Sequence, residues 1–474
     1  MTSKVALYAG PALFVISVLL NPFGLGFSAA ALIGVVGWML IWWISEVVHM
    51  AVTALLPLIL FPLMGILSVE ETSQAYGDRM VFLFLGGFLI ALSMEKWGLH
   101  RRIALMIIHL FGSSANRIVF GFLSACFLIS MWISNTATAL MMFPIATSVV
   151  NLILADPTYG TEKGRRNFST SIMLSIAYGS SIGGIATVIG SPPNGAMKAY
   201  LESNHDITVS FFDWMKIGFP FALVLLILGY FVLTRLVFPN KLGQMEKGGE
   251  LIDTELKQLG PWSFPEKATF AVFLLAAILW MSQDLIIKLF PAFKLTDVGI
   301  AIFCGISLFL IPGHQEDKKN VLEWKDTKNL HWGVLLMFGG GLSLAKAFKP
   351  SGLLDLLKSK MEFLSQLDLL PFLIILCLMG LILTALMSNL AMVNIFVPVV
   401  AVLAIAAGKS PELFAIPVTI AASCDFMFPM STPPNAIAYS SGWVRAKHMF
   451  QAGIILNILS FGLLSVMVWL MLKM

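Results

Sequence analysis

The sequence predicts an all-α polytopic membrane protein of about eleven transmembrane helices and two re-entrant hairpins, arranged as two inverted-topology repeats. Three observations carry this. The composition is 58% hydrophobic and 12% charged, with 36 Phe and many apolar runs long enough to span a bilayer. Two polar words, Ser134-Asn135-Thr136 and Ser191-Pro192-Pro193-Asn194, interrupt apolar segments and return as Ser388-Asn389-Leu390 and Thr432-Pro433-Pro434-Asn435. Finally, Gly86-Gly87, Gly98 and Ser134-Asn135 reappear as Gly340-Gly341, Gly352 and Ser388-Asn389, each displaced by 254 residues.

Taken in order, residues 1–27 hold a first helix and not a cleaved leader, since no small-residue cleavage site follows and further spans come at once. Full spans are expected at 6–20, 28–45, 48–67, 80–95, 168–203, 211–238, 266–290, 295–312, 328–347, 411–441 and 448–472. Residues 96–112 suit an interfacial helix. The segments 117–152 and 371–407 carry their polar word near the centre, as a hairpin entering and leaving from one side would. Backbone without helical partners at that depth must be covered by protein or line a wet cavity. Repeat 1 thus runs 28–240, with helices to about 112, hairpin 117–152, broken helix 168–203 and helix 211–238. A polar cytoplasmic linker, 241–265, leads to repeat 2 at 266–474, with helices to about 347, hairpin 371–407, broken helix 411–441 and helix 448–472. An odd number of crossings between matching elements inverts the second copy.

The net charge of +4 is modest and spread over loops, and no basic patch interleaved with aromatics marks a nucleic-acid binder. With the N-terminus in the cytoplasm, most of the 30 Lys and Arg fall on cytoplasmic loops, which leaves the C-terminus extracytoplasmic in a cell (inner or plasma) membrane. Cys126, Cys304, Cys377 and Cys424 lie in apolar runs without metal-ligand spacing and read as packing residues.

A Ser-Asn-Thr hairpin tip followed by a Ser/Thr-Pro-Pro-Asn helix break, both duplicated, resembles the divalent anion/sodium symporter family of dicarboxylate, citrate and sulfate transporters. The resemblance covers nearly the whole chain. It implies a homodimer in which scaffold helices support a transport domain that moves as an elevator. Carried over residue by residue, it places one sodium site at Ser130, Ser134, Asn135 and Gly190, and a second at Thr384, Met387, Asn389 and Ser431. Substrate carboxylates would meet Asn135, Thr136, Asn389, Thr432 and Pro433. The chain departs from the family at Leu390, where the second triplet usually has threonine.

These residue types suit the task. A small dianion needs donors that replace its hydration shell without holding it too firmly, and amides, hydroxyls and helix N-termini provide them. Each Pro-Pro pair removes two backbone donors, and the freed carbonyls, with Ser, Thr and Asn oxygens, suit Na⁺. No Arg or Lys falls in any of the four words, which argues that a cation compensates the dianion. The function expected is sodium-coupled uptake of succinate, fumarate or malate, with Na⁺ as the coupling ion and no other cofactor. Its rivals are a carboxylate exchanger or proton-coupled carrier, a channel, and sulfate or a tricarboxylate as cargo.

Other features have plainer explanations. The glycine pairs read as close helix contacts. Gly179-Ser180-Ser181-Ile182-Gly183 matches a hydrolase elbow in letters only, because it lies in a membrane helix; the protein is not expected to be an enzyme. Glu46 and His49 fall at a span boundary. Asp425, expected two turns before the second break in its helix, is a candidate for tuning a cation site or binding a proton.

Overall fold

Proline, glycine and short polar words decide where the apolar segments stop being helix. In the computed structural model, which describes residues 3–21, 24–292, 294–314, 319–353 and 368–473, helix dominates. Helices Ser3–Leu20 and Phe27–Ser45 pack as an antiparallel pair, with Ser17 Oγ donating to Ala30 O at 2.7 Å. The continuous span expected over 48–67 is instead Met50–Thr53 and Leu56–Leu63, with Pro57 at the restart and Pro62 inside the second piece. Glu46 takes a left-handed backbone at the end of the preceding helix, and His49 caps the next one.

Helix Arg79–Lys96 starts from an Asp78 cap, whose carboxylate accepts from Met80 N–H at 2.9 Å. It ends at Gly98, whose φ of +70° turns the chain into the amphipathic helix Leu99–Phe111. Gly86 lets Arg79–Lys96 press against the Ala301 backbone of helix Asp297–Leu310, where a Cβ would clash.

Seven helical segments among the described residues are long and apolar enough to cross a membrane. Segments expected to span at 295–312 and 328–347 are shorter, as Asp297–Leu310 and Trp332–Ala347. Outward faces are apolar: Leu274, Leu275, Ile278, Met281 and Leu285 of helix Phe264–Leu289 are all exposed. Water would not tolerate that band, and lipid does. The protein is an integral membrane protein.

The first helical hairpin consists of Ala115–Ser130 and Asn135–Ala155, and the second of Leu369–Thr384 and Asn389–Ala406. Adding 254 to the first arm of one gives the first arm of the other, end for end. The first broken helix runs Glu162–Ile185 and Pro192–His205; the second runs Glu412–Ala422 and Pro433–Ser440. Asp425 therefore lies inside the second break and not in a helix before it, because the helix ends at Ala422. Closing segments are Phe211–Phe231, which continues as a π-turn over Val232–Val237, and Ala446–Lys473.

The linker 241–265 is not simply extended. It contains helix Glu246–Gln258, which packs on Leu99–Phe111 through Arg101 to Glu255 (2.5 Å) and His109 to Asp253 (2.6 Å). Lys247 also reaches Asp156, at the end of the first hairpin, at 2.6 Å. That hydrogen bond, with those of Thr158, pulls the Asp156 carboxyl down to about 2. A short antiparallel pairing of Pro312–His314 with Lys319–Asn320 is the strand structure among the described residues.

Candidate functional site

The first hairpin turns at residues 131–134 because Ser134 caps its second arm, Oγ accepting from Ala137 N–H at 3.2 Å. Asn135, next in sequence, turns its amide inward. Ser130 Oγ lies 2.7 Å from it, Ser180 O 3.1 Å and Gly190 O 3.3 Å. With its nitrogen inward the amide donates to all three. With its oxygen inward, four oxygens converge and only the Ser130 hydroxyl has a proton to offer, an arrangement a cation satisfies.

Small residues make this cluster possible. A Cβ on Gly184 would stand 2.5 Å from the Asn135 side-chain oxygen, and one on Gly190 would meet the carbonyls of Gly184, Met131 and Ser130 at 2.9 to 3.1 Å. Gly179, likewise, lets its helix close on Leu123 O of the first hairpin. Thr187 ties the turn to the break: its Oγ1 donates to Met131 O at 2.5 Å and accepts from Gly190 N–H at 2.9 Å.

Where Pro192 and Pro193 remove donors, Asn194 replaces them. Its Nδ2 donates to Gly184 O at 2.9 Å and to Thr187 O at 2.8 Å. The second break repeats this at a displacement of 241. Asn435 Nδ2 reaches Asp425 O at 3.4 Å and Phe428 O at 3.0 Å, and also Ser431 Oγ at 3.2 Å. The second hairpin repeats the first: Ser388 caps, accepting from Ala391 N–H at 3.3 Å, and Thr384 Oγ1 lies 2.8 Å from the Asn389 amide oxygen while donating to Ala422 O at 2.6 Å.

The sequence-selected residues thus fall into groups. Ser130, Asn135 and Gly190 are brought together, as are Thr384 and Asn389. Ser134 accepts from Ala137 N–H through its hydroxyl and from Thr138 N–H through its carbonyl at 3.0 Å, so either oxygen would meet a cation through its remaining lone pair. Met387 packs against the apolar core and Ser431 Oγ donates to Phe428 O at 2.7 Å; among the described residues no hydrogen bond joins either to Asn389. Thr432 caps its half-helix, accepting from Asn435 N–H at 3.4 Å. Thr136 is half-buried and Pro433 exposed, while Leu390 is buried. Ser180, Thr187 and the two break asparagines were given no role from sequence, although the duplicated Asn194 and Asn435 were the available signal.

Packing crosses the repeats. Half-helix Pro192–His205 lies against Asn389–Ala406, and Pro433–Ser440 lies against Asn135–Ala155. Tyr178, in the first broken helix, donates its hydroxyl toward Phe426 O of the second break at 3.1 Å. Each break is thereby supported by the other half of the molecule. Among the described residues no group of three or more His, Cys, Asp or Glu side chains is placed to hold a metal; the oxygens gathered around Asn135 are hydroxyl, amide and carbonyl.

By family the chain is a secondary transporter that couples Na⁺ to small anions, and not an enzyme. The chain belongs to the family described as the sodium:sulfate symporter transmembrane region, whose model matches residues 2–474. It is similar to the sodium-dependent dicarboxylate transporter SdcS of Staphylococcus saprophyticus, at 37% identity over 470 residues, covering 98% of this chain and 90% of the relative. SdcS of Staphylococcus aureus is 36% identical over 460 residues, covering 96% and 88%. The crystal structure of the YdaH transporter of Alcanivorax borkumensis has a related fold, with a TM-score of 0.56 over 85% of this chain and 87% of that one, at 15% identity.

Proposed function

We propose that the protein imports small dicarboxylates, with succinate, fumarate and malate as leading candidates, driven by sodium entry. The observation that carries this reading is the Asn135 cluster, a formally neutral set of oxygens at the turn of an interrupted segment. The dicarboxylate transporters at 36 and 37% identity support the cargo class.

In this reading Ser130, Ser134, Asn135 and Gly190 hold one sodium ion, Ser134 and Gly190 through backbone carbonyls. Thr384, Met387, Asn389 and Ser431 hold the other. Carboxylates meet Asn135, Thr136, Asn389, Thr432 and Pro433, where helix N-termini present unpaired N–H groups. Sodium beside the cargo offsets the cost of desolvating a dianion where no Arg or Lys is in place. The hairpins and broken helices form the moving transport domain of an elevator. Helices to about residue 112 of repeat 1 and to about 347 of its inverted partner form the scaffold of a homodimer, with the N-terminus cytoplasmic and the C-terminus outside.

Uptake of labelled succinate into proteoliposomes tests the reading. Accumulation that follows an inward sodium gradient is expected; accumulation driven only by internal counter-substrate or by a pH gradient would overturn symport. The family description names sulfate, so sulfate belongs in the competition panel. Its displacing succinate at equal concentration would reassign the cargo to an inorganic dianion.

A further inference from the structure

Six charged side chains are buried among the described residues: Arg102, Lys198, Glu202, Glu266, Asp297 and Asp425. Five of them are paired. Arg102 meets Glu266 at 2.8 Å, Lys198 meets Asp297 at 2.5 Å, and Arg79 reaches Glu202 at 3.0 Å. Asp425, 1% exposed, has no ion partner among the described residues, and neither carboxylate oxygen completes a hydrogen bond with them, although the Ser431 hydroxyl and the Met427 N–H lie within electrostatic reach. A carboxylate left so is costly unless a cation comes to it or a proton neutralises it.

Its place in the fold says which cation. Asn194 binds Gly184 O and Thr187 O as Asn435 binds Asp425 O and Phe428 O, so Asp425 occupies in the second break the backbone position that Gly184 occupies in the first. A side chain at Gly184 would run directly into the Asn135 amide. In the second half that position carries a carboxylate, three residues beyond the Ala422 carbonyl that receives Thr384. The first cluster is thus formally neutral, whereas the matching backbone position of the second break bears a carboxylate that interacts with Ser431, one of the residues assigned to the second site.

We propose that Asp425 supplies a fixed negative charge to the second cation site, making that site anionic where the first is neutral. This rests on the sodium-coupled reading above. The charge sets an order of events: a dianionic cargo approaching an uncompensated carboxylate is repelled, so sodium loads at the second site before cargo does. The gain in sodium affinity is specific to that half.

The test is a sodium titration of the purified full-length protein without substrate, read by thermal stabilisation at constant ionic strength with choline as the replacement cation. Asp425→Asn is expected to raise the half-stabilising sodium concentration about tenfold or more, while Asp425→Glu stays within about threefold of the parent. In proteoliposomes Asp425→Asn should raise the sodium K0.5 for uptake by a similar factor. Asp425→Ser serves the same comparison where the asparagine variant is not monodisperse. A monodisperse neutral variant with the parental sodium titration overturns the proposal. So does one that keeps that titration and loses only a pH dependence, which would assign the carboxylate to a proton. Should the parent move no anion with sodium, the transport reading falls, and the substrate-free titration still judges Asp425.

Discussion

Lys198 Nζ lies 2.5 Å from Asp297 Oδ2, and both side chains are buried, at 2% and 8% exposure. The pair joins half-helix Pro192–His205 to helix Asp297–Leu310, and Asp297 also accepts from Phe211 N–H at 3.1 Å. Lys198→Met leaves Asp297 buried without its counter-charge, and the expected cost is about 3 to 5 kcal/mol. Thermal unfolding in detergent measures it, and Lys198→Met with Asp297→Asn should recover part of the loss. Lys247→Ala, whose lysine is mostly solvated beside Asp156, should barely move the midpoint.

Asn135→Ala and Asn389→Ala each remove the amide around which one hairpin turn is organised. Sodium-driven succinate uptake should fall at least about a hundredfold in each, with size-exclusion profiles unchanged, because the capping serines that form the turns remain. Residual uptake above about a tenth of the parental rate would remove that asparagine from the site.

Gly184→Ala puts a methyl where the Asn135 amide sits. The amide must move by several tenths of an ångström or more, so the sodium K0.5 should rise while the fold survives. Measuring K0.5 and the unfolding midpoint on the same preparation separates displacement of the site from general loss of packing.

Leu390→Thr places a hydroxyl at the position that matches Thr136, in a buried apolar setting. Restored dicarboxylate contact predicts a lower succinate KM with little change in sodium K0.5. An unchanged KM together with a lower unfolding midpoint would mean that Leu390 serves packing alone.

The hairpins were legible because their signal is local: a capping serine, an asparagine and a preceding hydroxyl, all within one turn, in surroundings otherwise apolar. That is why the 254-residue displacement carries Ala115–Ser130 onto Leu369–Thr384. The prolines likewise announced the breaks, and Gly86 and Gly340 turned out to be the close helix contacts they were read as. What sequence reading missed depends on distant partners or on backbone detail. Lys198 and Asp297 are 99 residues apart and look like ordinary loop-side charges until the fold buries them. The helix within 241–265 is held by the burial of Ile252 and by contacts of Arg101 with Glu255 and His109 with Asp253, distant partners that hydropathy does not register. The early end of the helix before Asp425, at Ala422, was invisible because no glycine or proline marks it, the next proline being Pro429.

The two breaks differ in how they are enclosed. Around the first, Thr187, Gly190 and Ser191 are all sheltered, whereas at the second Met430 is 90% exposed and Phe428 39%. The first break is thus held by packing on every side while the second leaves apolar side chains exposed, so truncation should cost the protein less stability at Met430 than at Thr187.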